Sequence, residues 1–204
     1  FRASLTAHRR PAITAWFGLC RAAIVQTRRP IHPPRLRLIG AAAMTNVKIA
    51  VIGAGLIGRE HCQLIAEAAG ATLAGIADNG PAGQGIADKF KVPMFDDYRQ
   101  MLDQLHPDGA IVALPSQLHA TAGIDCAERH IPCLVEKPVT DTLANARALV
   151  AAGARYDVPL LVGHHRRHSP DISGARSLIT KGEIGPLMTV NGMWWAKKPD
   201  DYFN

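Results

Sequence analysis

Three glycines at a fixed spacing give the first indication of chemistry in this sequence. Gly53, Gly55 and Gly58 form the pattern G-x-G-x-x-G in the segment GAGLIG. An apolar segment, residues 48–53, leads into them, and a segment with helical spacing, residues 56–70, follows. In such a turn the first glycine permits a sharp bend, the second lets the backbone approach a pyrophosphate, and the third lets helix and strand pack closely. The spacing therefore predicts a phosphate-binding turn.

An acidic residue lies where a ribose-binding carboxylate is expected. Asp78 ends the second predicted strand, twenty residues after Gly58, which suits an acid that accepts bonds from ribose hydroxyls. Strand, turn, helix and acid together predict that the chain binds a dinucleotide, with Leu56 and Ile57 in the turn. Asn79 follows Asp78, and no arginine is adjacent to hold a 2′-phosphate. We therefore expect NAD rather than NADP.

The segment LPSQLH, residues 114–119, follows the fourth predicted strand. Ligands of open α/β sheets bind beyond the carboxyl ends of the strands, where this segment lies. The same residues are also typical of a Pro-Ser turn that caps the next helix, and both readings can hold together. The candidate cofactor-binding residues of this loop are Leu114, Pro115, Ser116 and His119.

The segment LVEKPV places a lysine at the end of the fifth predicted strand, residues 132–136. Pro138 disfavours the helical conformation for the residue before it and so holds Lys137 extended. A lysine at this edge could donate a proton or a hydrogen bond to a substrate oxygen. Taken alone, however, the segment would favour an ordinary Glu-Lys pair on a loop.

Together these segments resemble the glucose–fructose oxidoreductase and inositol dehydrogenase (Gfo/Idh/MocA) family, from about residue 48 to the end of the chain. The resemblance implies an α/β Rossmann domain, a doubly wound parallel sheet, followed by the start of an α+β open-sheet substrate domain. It also implies NAD(P)-dependent hydride transfer at a hydroxyl carbon of a sugar, cyclitol or related polyol. By this resemblance Lys137 is the catalytic residue, while Glu136, Lys137 and the 115–119 loop contact the cofactor.

The segment GHHRRHSP, residues 163–170, follows the sixth predicted strand. The family often has an aromatic residue, Asn or His followed by two arginines here, which implies that Arg166 or His168 faces the substrate. His164, His165 and His168 do not predict a metal site. Neighbours on a strand point to opposite faces, and no carboxylate or cysteine completes the ligand set.

The sequence departs from the family in one respect. Members usually carry an Asp and, four residues later, a His in the second domain, but no D-x-x-x-H occurs between residues 171 and 204. We interpret this departure as truncation of the second domain. We therefore expect the chain to bind a dinucleotide but to convert substrate poorly or not at all. The alternative is a non-catalytic NAD-binding sensor or accessory protein.

The elements that must position these residues alternate along the chain. Six apolar strand segments are separated by helical segments, which predicts a parallel sheet with right-handed crossovers. We assign the Rossmann domain to residues 44–168 and the beginning of a truncated substrate or oligomerisation domain to residues 169–204. The second contains a predicted helix at 171–182 and an alternating strand at 186–195. The six strand segments are residues 48–53, 71–78, 94–95, 108–115, 132–136 and 159–164.

The charge of the chain is concentrated in its first residues. The chain has 204 residues and a net charge of +6, but residues 1–43 carry eight arginines and no acid. The rest holds 15 basic and 17 acidic residues, which argues against a nucleic-acid partner. The leader could be non-native sequence, an Arg-rich transit segment or a twin-Arg export signal, although Arg21 interrupts the last pattern. We expect it to be unstructured or non-native.

Localisation and partners follow from the same residues. No segment approaches the roughly 20 apolar residues of a membrane-spanning helix, so we expect no membrane partner. We expect a cytoplasmic location, or location in an organelle or export if the leader is a real signal.

Four cysteines without C-x-x-C spacing are typical of core thiols in a reducing compartment. Trp194 and Trp195 on the alternating strand suggest a homo-oligomer in the full-length protein, which would act on a small polyol or sugar.

Overall fold

A computed structural model describes residues 46–193 and residue 197. The predicted leader, residues 1–43, lies outside the described residues, as do Trp194 and Trp195. By their contacts the residues divide into one unit that ends at His165 and a second that begins at Arg166. The domain boundaries assigned from the sequence stay a prediction.

The first unit is built on a six-stranded sheet in the order β3-β2-β1-β4-β5-β6. Every neighbouring pair in it is parallel. This is the strand order of a Rossmann fold, and the predicted fold class is confirmed. The strands are β1 (Val47–Ile52), β2 (Ala71–Ala77), β3 (Met94–Phe95), β4 (Gly109–Val112), β5 (Cys133–Val135) and β6 (Leu160–Val162).

A helix follows each of the first five strands, as the alternating pattern predicted. These are α1 (Leu56–Glu67), α2 (Ala82–Phe90), α3 (Tyr98–Leu105), α4 (His119–Glu128) and α5 (Leu143–Tyr156). Short 3-10 helices occupy Ser116–Leu118 and His165–His168.

The continuous apolar strands bury both of their faces. Ala50 and Ile52 of β1 belong to one hydrophobic cluster, while Val51 between them belongs to another. β5 repeats the arrangement, with Val135 in the first cluster and Leu134 in the second. Since successive side chains of a strand point to opposite faces, the two clusters form the cores on either side of the sheet. Polar functional groups are therefore excluded from the buried middle of these strands.

The second unit contains α6, Pro170–Thr180, which confirms the predicted helix. Ser169 caps it by accepting a 3.2 Å hydrogen bond from the Ile172 amide. The strand predicted at 186–195 is wrong for its described part, because residues 186–193 adopt neither helix nor strand. Alternation produces a strand only where a second strand pairs with the backbone, and within the described residues all strand pairing lies in the first unit. No described helix is long and apolar enough to cross a bilayer.

The start of α3 is capped by an acidic side chain. The helix begins at Tyr98, and Asp97 is its N-cap. The Asp97 Oδ1 accepts a 2.9 Å hydrogen bond from the Arg99 amide. The acid therefore stabilises the helix by satisfying an amide that has no partner within the helix.

Replacing this cap gives a direct test of the fold. We expect Asp97→Ala to lower the free energy of unfolding by about 1 kcal/mol, the usual cost of losing a side-chain N-cap. Urea unfolding followed by circular dichroism would measure it. Asp96→Ala, at the exposed neighbouring position, is the matched control and should change stability by less than about half as much. Equal losses from the two variants would contradict the capping role.

Candidate functional site

The glycine-rich turn joins β1 to α1 by a close backbone contact. Gly53 has a φ of +96°, and a Cβ there would lie 2.6 Å from the carbonyl oxygen of Ala113. A Cβ on Gly58 would overlap the carbonyl oxygen of Gly53. Only glycine fits either position, so the first and third glycines of the motif hold helix and strand together as predicted.

The middle glycine has a different environment. A Cβ on Gly55 would meet no atom within 4 Å, and its φ of −62° is open to any residue. Gly55 is the N-cap of α1 and, having no side chain, leaves the first amides of the helix without a side-chain cap. Leu56 and Ile57, which follow it, are 76% and 44% exposed. An anion can therefore approach the helix end, where the amides and the dipole both favour it.

Asp78 lies directly beside this turn, at the carboxyl end of β2. Its Oδ2 accepts a 2.5 Å hydrogen bond from the Ala54 amide, and its Oδ1 accepts a 2.7 Å bond from the Gly80 amide. Each carboxylate oxygen can accept a further bond, and the residue is only half-buried. The carboxylate thus shapes the turn and can still receive hydroxyl groups. Asn79 beside it is exposed.

The loop after β4 is organised by a histidine rather than by the serine. Ser116 makes no capping bond to the 3-10 helix, and α4 has no side-chain cap either, so the capping role considered for Ser116 is wrong. Pro115 is exposed, while Leu114 and Ser116 are half-buried. The segment bends through the 3-10 helix, which delivers His119 to the first position of α4.

His119 connects two of the predicted cofactor segments. Its side chain is 1% exposed; Nε2 lies 2.7 Å from the Leu114 carbonyl oxygen and Nδ1 lies 2.9 Å from that of Pro138. Because a carbonyl oxygen only accepts, a neutral ring bonds one of them at a time and a protonated ring bonds both. The buried ring therefore lies between the loop after β4 and the loop after β5, within hydrogen-bond distance of a carbonyl oxygen of each.

Glu136 directs its carboxylate into the protein. Oε1 lies 2.9 Å from Nε2 of His61 on α1, and Oε2 accepts a 3.0 Å hydrogen bond from the Lys137 amide. Burial alone would raise the pKa of Glu136, but these two hydrogen bonds, together with electrostatic attraction from His61 and Lys137, hold the pKa below its usual value. The carboxylate is therefore ionised at neutral pH.

Lys137 itself is exposed, one residue beyond the internally bonded Glu136. The peptide bond between Lys137 and Pro138 is cis. The Glu136 amide still donates to the Val112 carbonyl oxygen at 2.9 Å, so the lysine follows the last rung of the β4–β5 pairing. Its backbone is fixed while its side chain reaches solvent.

The site residues on β1, β2, β4 and β5 come together at one edge of the sheet. These strands are neighbours in the order β2-β1-β4-β5, and all run parallel. The glycine turn, Asp78, the Leu114–His119 loop and Lys137 follow them in turn. A dinucleotide fits this edge, because an open helix N-terminus and a carboxylate with spare acceptor capacity lie on one side and a lysine on the other.

Arg166 and His168 belong to the second unit, in the 3-10 helix His165–His168. The role in substrate contact expected for these residues stays a prediction. His164 and His165 are exposed. Within residues 46–193 and 197, no three His, Cys, Asp or Glu side chains are grouped closely enough to hold a metal ion.

The described cysteines are core residues. Cys62, Cys126 and Cys133 are free and buried, and burial raises the pKa of Cys62 to about 11. The Cys62 thiol is therefore neutral, and all three cysteines fill space in the core.

Sequence reasoning missed two residues of this site. His61 binds Glu136 from a position 75 residues earlier in the chain. Gly163 leaves room for the same carboxylate, since a Cβ there would lie 2.6 Å from Glu136 Oε1. His61 lies three residues after Gly58, on the helix that the glycine motif opens, and this is the one signal that could have drawn attention to it.

A comparison with known families decides the classification. The sequence model of the Gfo/Idh/MocA family, described as an oxidoreductase family with an NAD-binding Rossmann fold, matches residues 47–164. This chain belongs to the Gfo/Idh/MocA family. The resemblance inferred from the motifs is confirmed, and the first unit of this family member is an NAD-binding Rossmann domain.

Individual relatives agree with this assignment. The rhizopine catabolism protein MocA of Rhizobium meliloti is 30% identical over 156 residues, which are 76% of this chain and 49% of that protein. Inositol 2-dehydrogenase of Streptomyces avermitilis is 32% identical over 145 residues, 69% of this chain and 42% of that enzyme. The chain thus spans about half the length of the curated relatives it matches.

Solved structures of the family show the same fold. The WlbA dehydrogenase of Bordetella pertussis, solved in complex with NADH and UDP-GlcNAcA, superposes with a TM-score of 0.66 at 26% identity. The match covers 69% of this chain and 41% of that one.

Substitutions at the glycines of the turn can separate an effect on folding from an effect on cofactor binding. We expect Gly55→Ala to keep the thermal midpoint, because the new methyl group meets no protein atom, but to weaken NADH binding about tenfold or more through lost amide–phosphate hydrogen bonds. NADH fluorescence titration and thermal melting would measure both effects.

The contrasting variant is Gly58→Ala. Its methyl group overlaps the Gly53 carbonyl oxygen, so we expect a lower thermal midpoint or failure to fold. Wild-type NADH affinity in folded Gly55→Ala would show that the pyrophosphate does not approach this glycine.

Proposed function

We propose that this protein is an NAD-dependent dehydrogenase that oxidises or reduces a hydroxyl carbon of a cyclitol, sugar or related polyol. The observation that carries the proposal is the position of Lys137. It is an exposed lysine with a fixed backbone, at the same sheet edge as a turn suited to a dinucleotide. This reaction requires a bound nicotinamide and, beside it, a group such as an amine that can transfer a proton.

The preference for NAD over NADP is supported by Asp78. Its carboxylate is anchored by two amides beside the glycine turn, so it cannot easily turn away from an adenosine ribose. A ribose with free hydroxyls can donate to it, whereas a 2′-phosphate would meet a like charge. The neighbouring Asn79 carries no positive charge to offset that repulsion.

The chemistry divides between cofactor and protein. When bound, the nicotinamide accepts or supplies the hydride. Lys137 would donate a hydrogen bond to the substrate oxygen and move the proton that accompanies hydride transfer. His119 and Glu136 would hold the loops on which this lysine and the cofactor-facing residues stand. Leu56 and Ile57, both exposed at the turn, would shield the phosphate side from water.

The substrate class is supported by the family. One relative is an inositol dehydrogenase by name, and another structure holds a nucleotide sugar. Inositol and the sugar of that nucleotide both present secondary hydroxyl groups on a six-membered ring. Arg166 and His168 remain our candidates for substrate contact, and the homo-oligomeric state of the full-length protein stays a prediction.

Asp78→Asn tests the cofactor preference. Loss of the charge should lower NADH affinity about tenfold, the usual effect of removing a charged hydrogen-bond acceptor, and should leave NADPH affinity unchanged or higher. Fluorescence titration with both cofactors gives the ratio. Asp88→Asn is the control, because Asp88 is an exposed acid on α2 bonded to Gln84. An unchanged NADH to NADPH ratio in Asp78→Asn would contradict the assignment.

Lys137→Met tests the catalytic role in the full-length protein. We expect turnover of inositols or sugars to fall about 100-fold or more, the typical contribution of a positioned acid or base, while NADH affinity changes less than about twofold. Lys91→Met, at an exposed lysine at the end of α2, should leave both unchanged. The role of Lys137 would be refuted by wild-type turnover in Lys137→Met, or by equal losses of binding and turnover.

A further inference from the structure

We propose that His61 is a positioning residue that fixes Lys137 through the Glu136 carboxylate. The inference rests on the proposed function, because it concerns the lysine to which that function assigns proton transfer. It gives Glu136 an internal role in place of the cofactor contact that the family resemblance implied.

The first part of this connection joins α1 to the end of β5. Nε2 of His61 lies 2.9 Å from Oε1 of Glu136, and the two side chains are 11% and 13% exposed. The contact is thus largely shielded from water. A hydrogen bond between such groups is stronger in the protein interior than on the surface. It links two segments that are far apart in the sequence.

The second part joins Glu136 to the backbone of Lys137. The carboxylate oxygen that His61 does not use accepts the Lys137 amide at 3.0 Å. The Glu136 amide donates to the Val112 carbonyl oxygen at 2.9 Å. The amides of Glu136 and Lys137, in two successive peptides, are therefore both held, which sets the direction in which the lysine side chain leaves the backbone.

The end of β6 is shaped to keep this carboxylate in place. Gly163 is buried, and a Cβ there would lie 2.6 Å from Oε1 and 3.0 Å from Oε2 of Glu136. Its amide donates to the Val135 carbonyl oxygen at 2.8 Å, so the Gly163 backbone is fixed close to the carboxylate. The Glu136 carboxylate has room in this position only because residue 163 is glycine.

The electrostatics are consistent with a fixed anion. Burial raises the pKa of Glu136, yet hydrogen bonds from His61 and the Lys137 amide bring it below the usual value. A charged acceptor bonds both donors more strongly than a neutral one. Removal of the His61 donor should therefore weaken the hold on the Lys137 amide, since the carboxylate can then rotate or take up water.

The same histidine lies on the helix that begins at the glycine turn. His61 is within α1, whose N-terminus is the proposed pyrophosphate site. One helix thus carries both the phosphate-binding amides and the anchor of the lysine segment. By this connection the spacing between cofactor and lysine is set within one domain.

The test uses amide hydrogen exchange of the full chain, observed residue by residue by NMR. In His61→Ala the Lys137 amide should exchange about tenfold or more faster, as expected when a hydrogen bond to a charged acceptor is weakened. His61→Gln keeps an Nε2 donor at similar reach and should restore most of the protection. If the contact were only structural, His61→Ala would lower the stability of the whole domain. It would not selectively accelerate exchange of the Lys137 amide, and His61→Gln would not restore that protection.

A second histidine serves as the matched control. His130 makes a single ring-to-carbonyl contact, to Tyr156 at 3.2 Å, before the start of β5 rather than after its end. His130→Asn should leave Lys137 exchange within about twofold of wild type. If His61→Ala does not fold, Gly163→Ala perturbs the same carboxylate from the other side and should accelerate Lys137 exchange in the same way.

The outcomes separate this inference from the proposed function. Unchanged Lys137 exchange in folded His61→Ala or Gly163→Ala overturns the positioning role, whatever Lys137→Met does to turnover. Wild-type turnover in Lys137→Met overturns the function, whatever the exchange rates show. In the full-length protein we expect His61→Ala to lower kcat about tenfold with an unchanged KM for NAD, and His61→Gln to recover it.

Discussion

The close approach of Gly58 to the Gly53 carbonyl oxygen determines where α1 can begin. It brings the first turn of α1 directly onto the end of β1, in the middle of a parallel sheet. Once the helix begins there, its N-terminal amides face the edge where Asp78 and the loops after β4 and β5 also lie. A side chain at Gly58 would push the helix away and separate these groups.

Two polar connections then organise the edge around that helix. The Asp78 carboxylate bonds the Ala54 amide within the turn, and the Glu136 carboxylate bonds His61 five residues into α1. Since both carboxylates bond groups on α1 or its preceding turn, they orient the segments on either side of the helix. His119 adds a third tie, between the loops after β4 and β5.

The sequence predicted those features that are local or set by strand periodicity. Three such features each follow a buried strand: the glycine turn, the acid after β2 and the lysine after β5. Because the strands are parallel, their carboxyl ends lie on the same side of the sheet, and this alone brings the three features together. The His61–Glu136 pair was not predictable in this way, because nothing in either segment specifies a partner 75 residues away. The same limit explains two errors: Ser116 looks like a cap because capping is judged from neighbours, and residues 186–193 alternate but have no strand to pair with among the described residues.

The anchoring of Asp78 has a consequence for how cofactor preference could change during evolution. The residue that would exclude a 2′-phosphate is also the acceptor for the Ala54 and Gly80 amides. A lineage that replaced it to admit NADP would lose two backbone bonds of the turn at the same step, at a cost of about 1 kcal/mol or more. Such a change would therefore need a compensating acceptor nearby, so cofactor choice and stability of the turn are expected to evolve together.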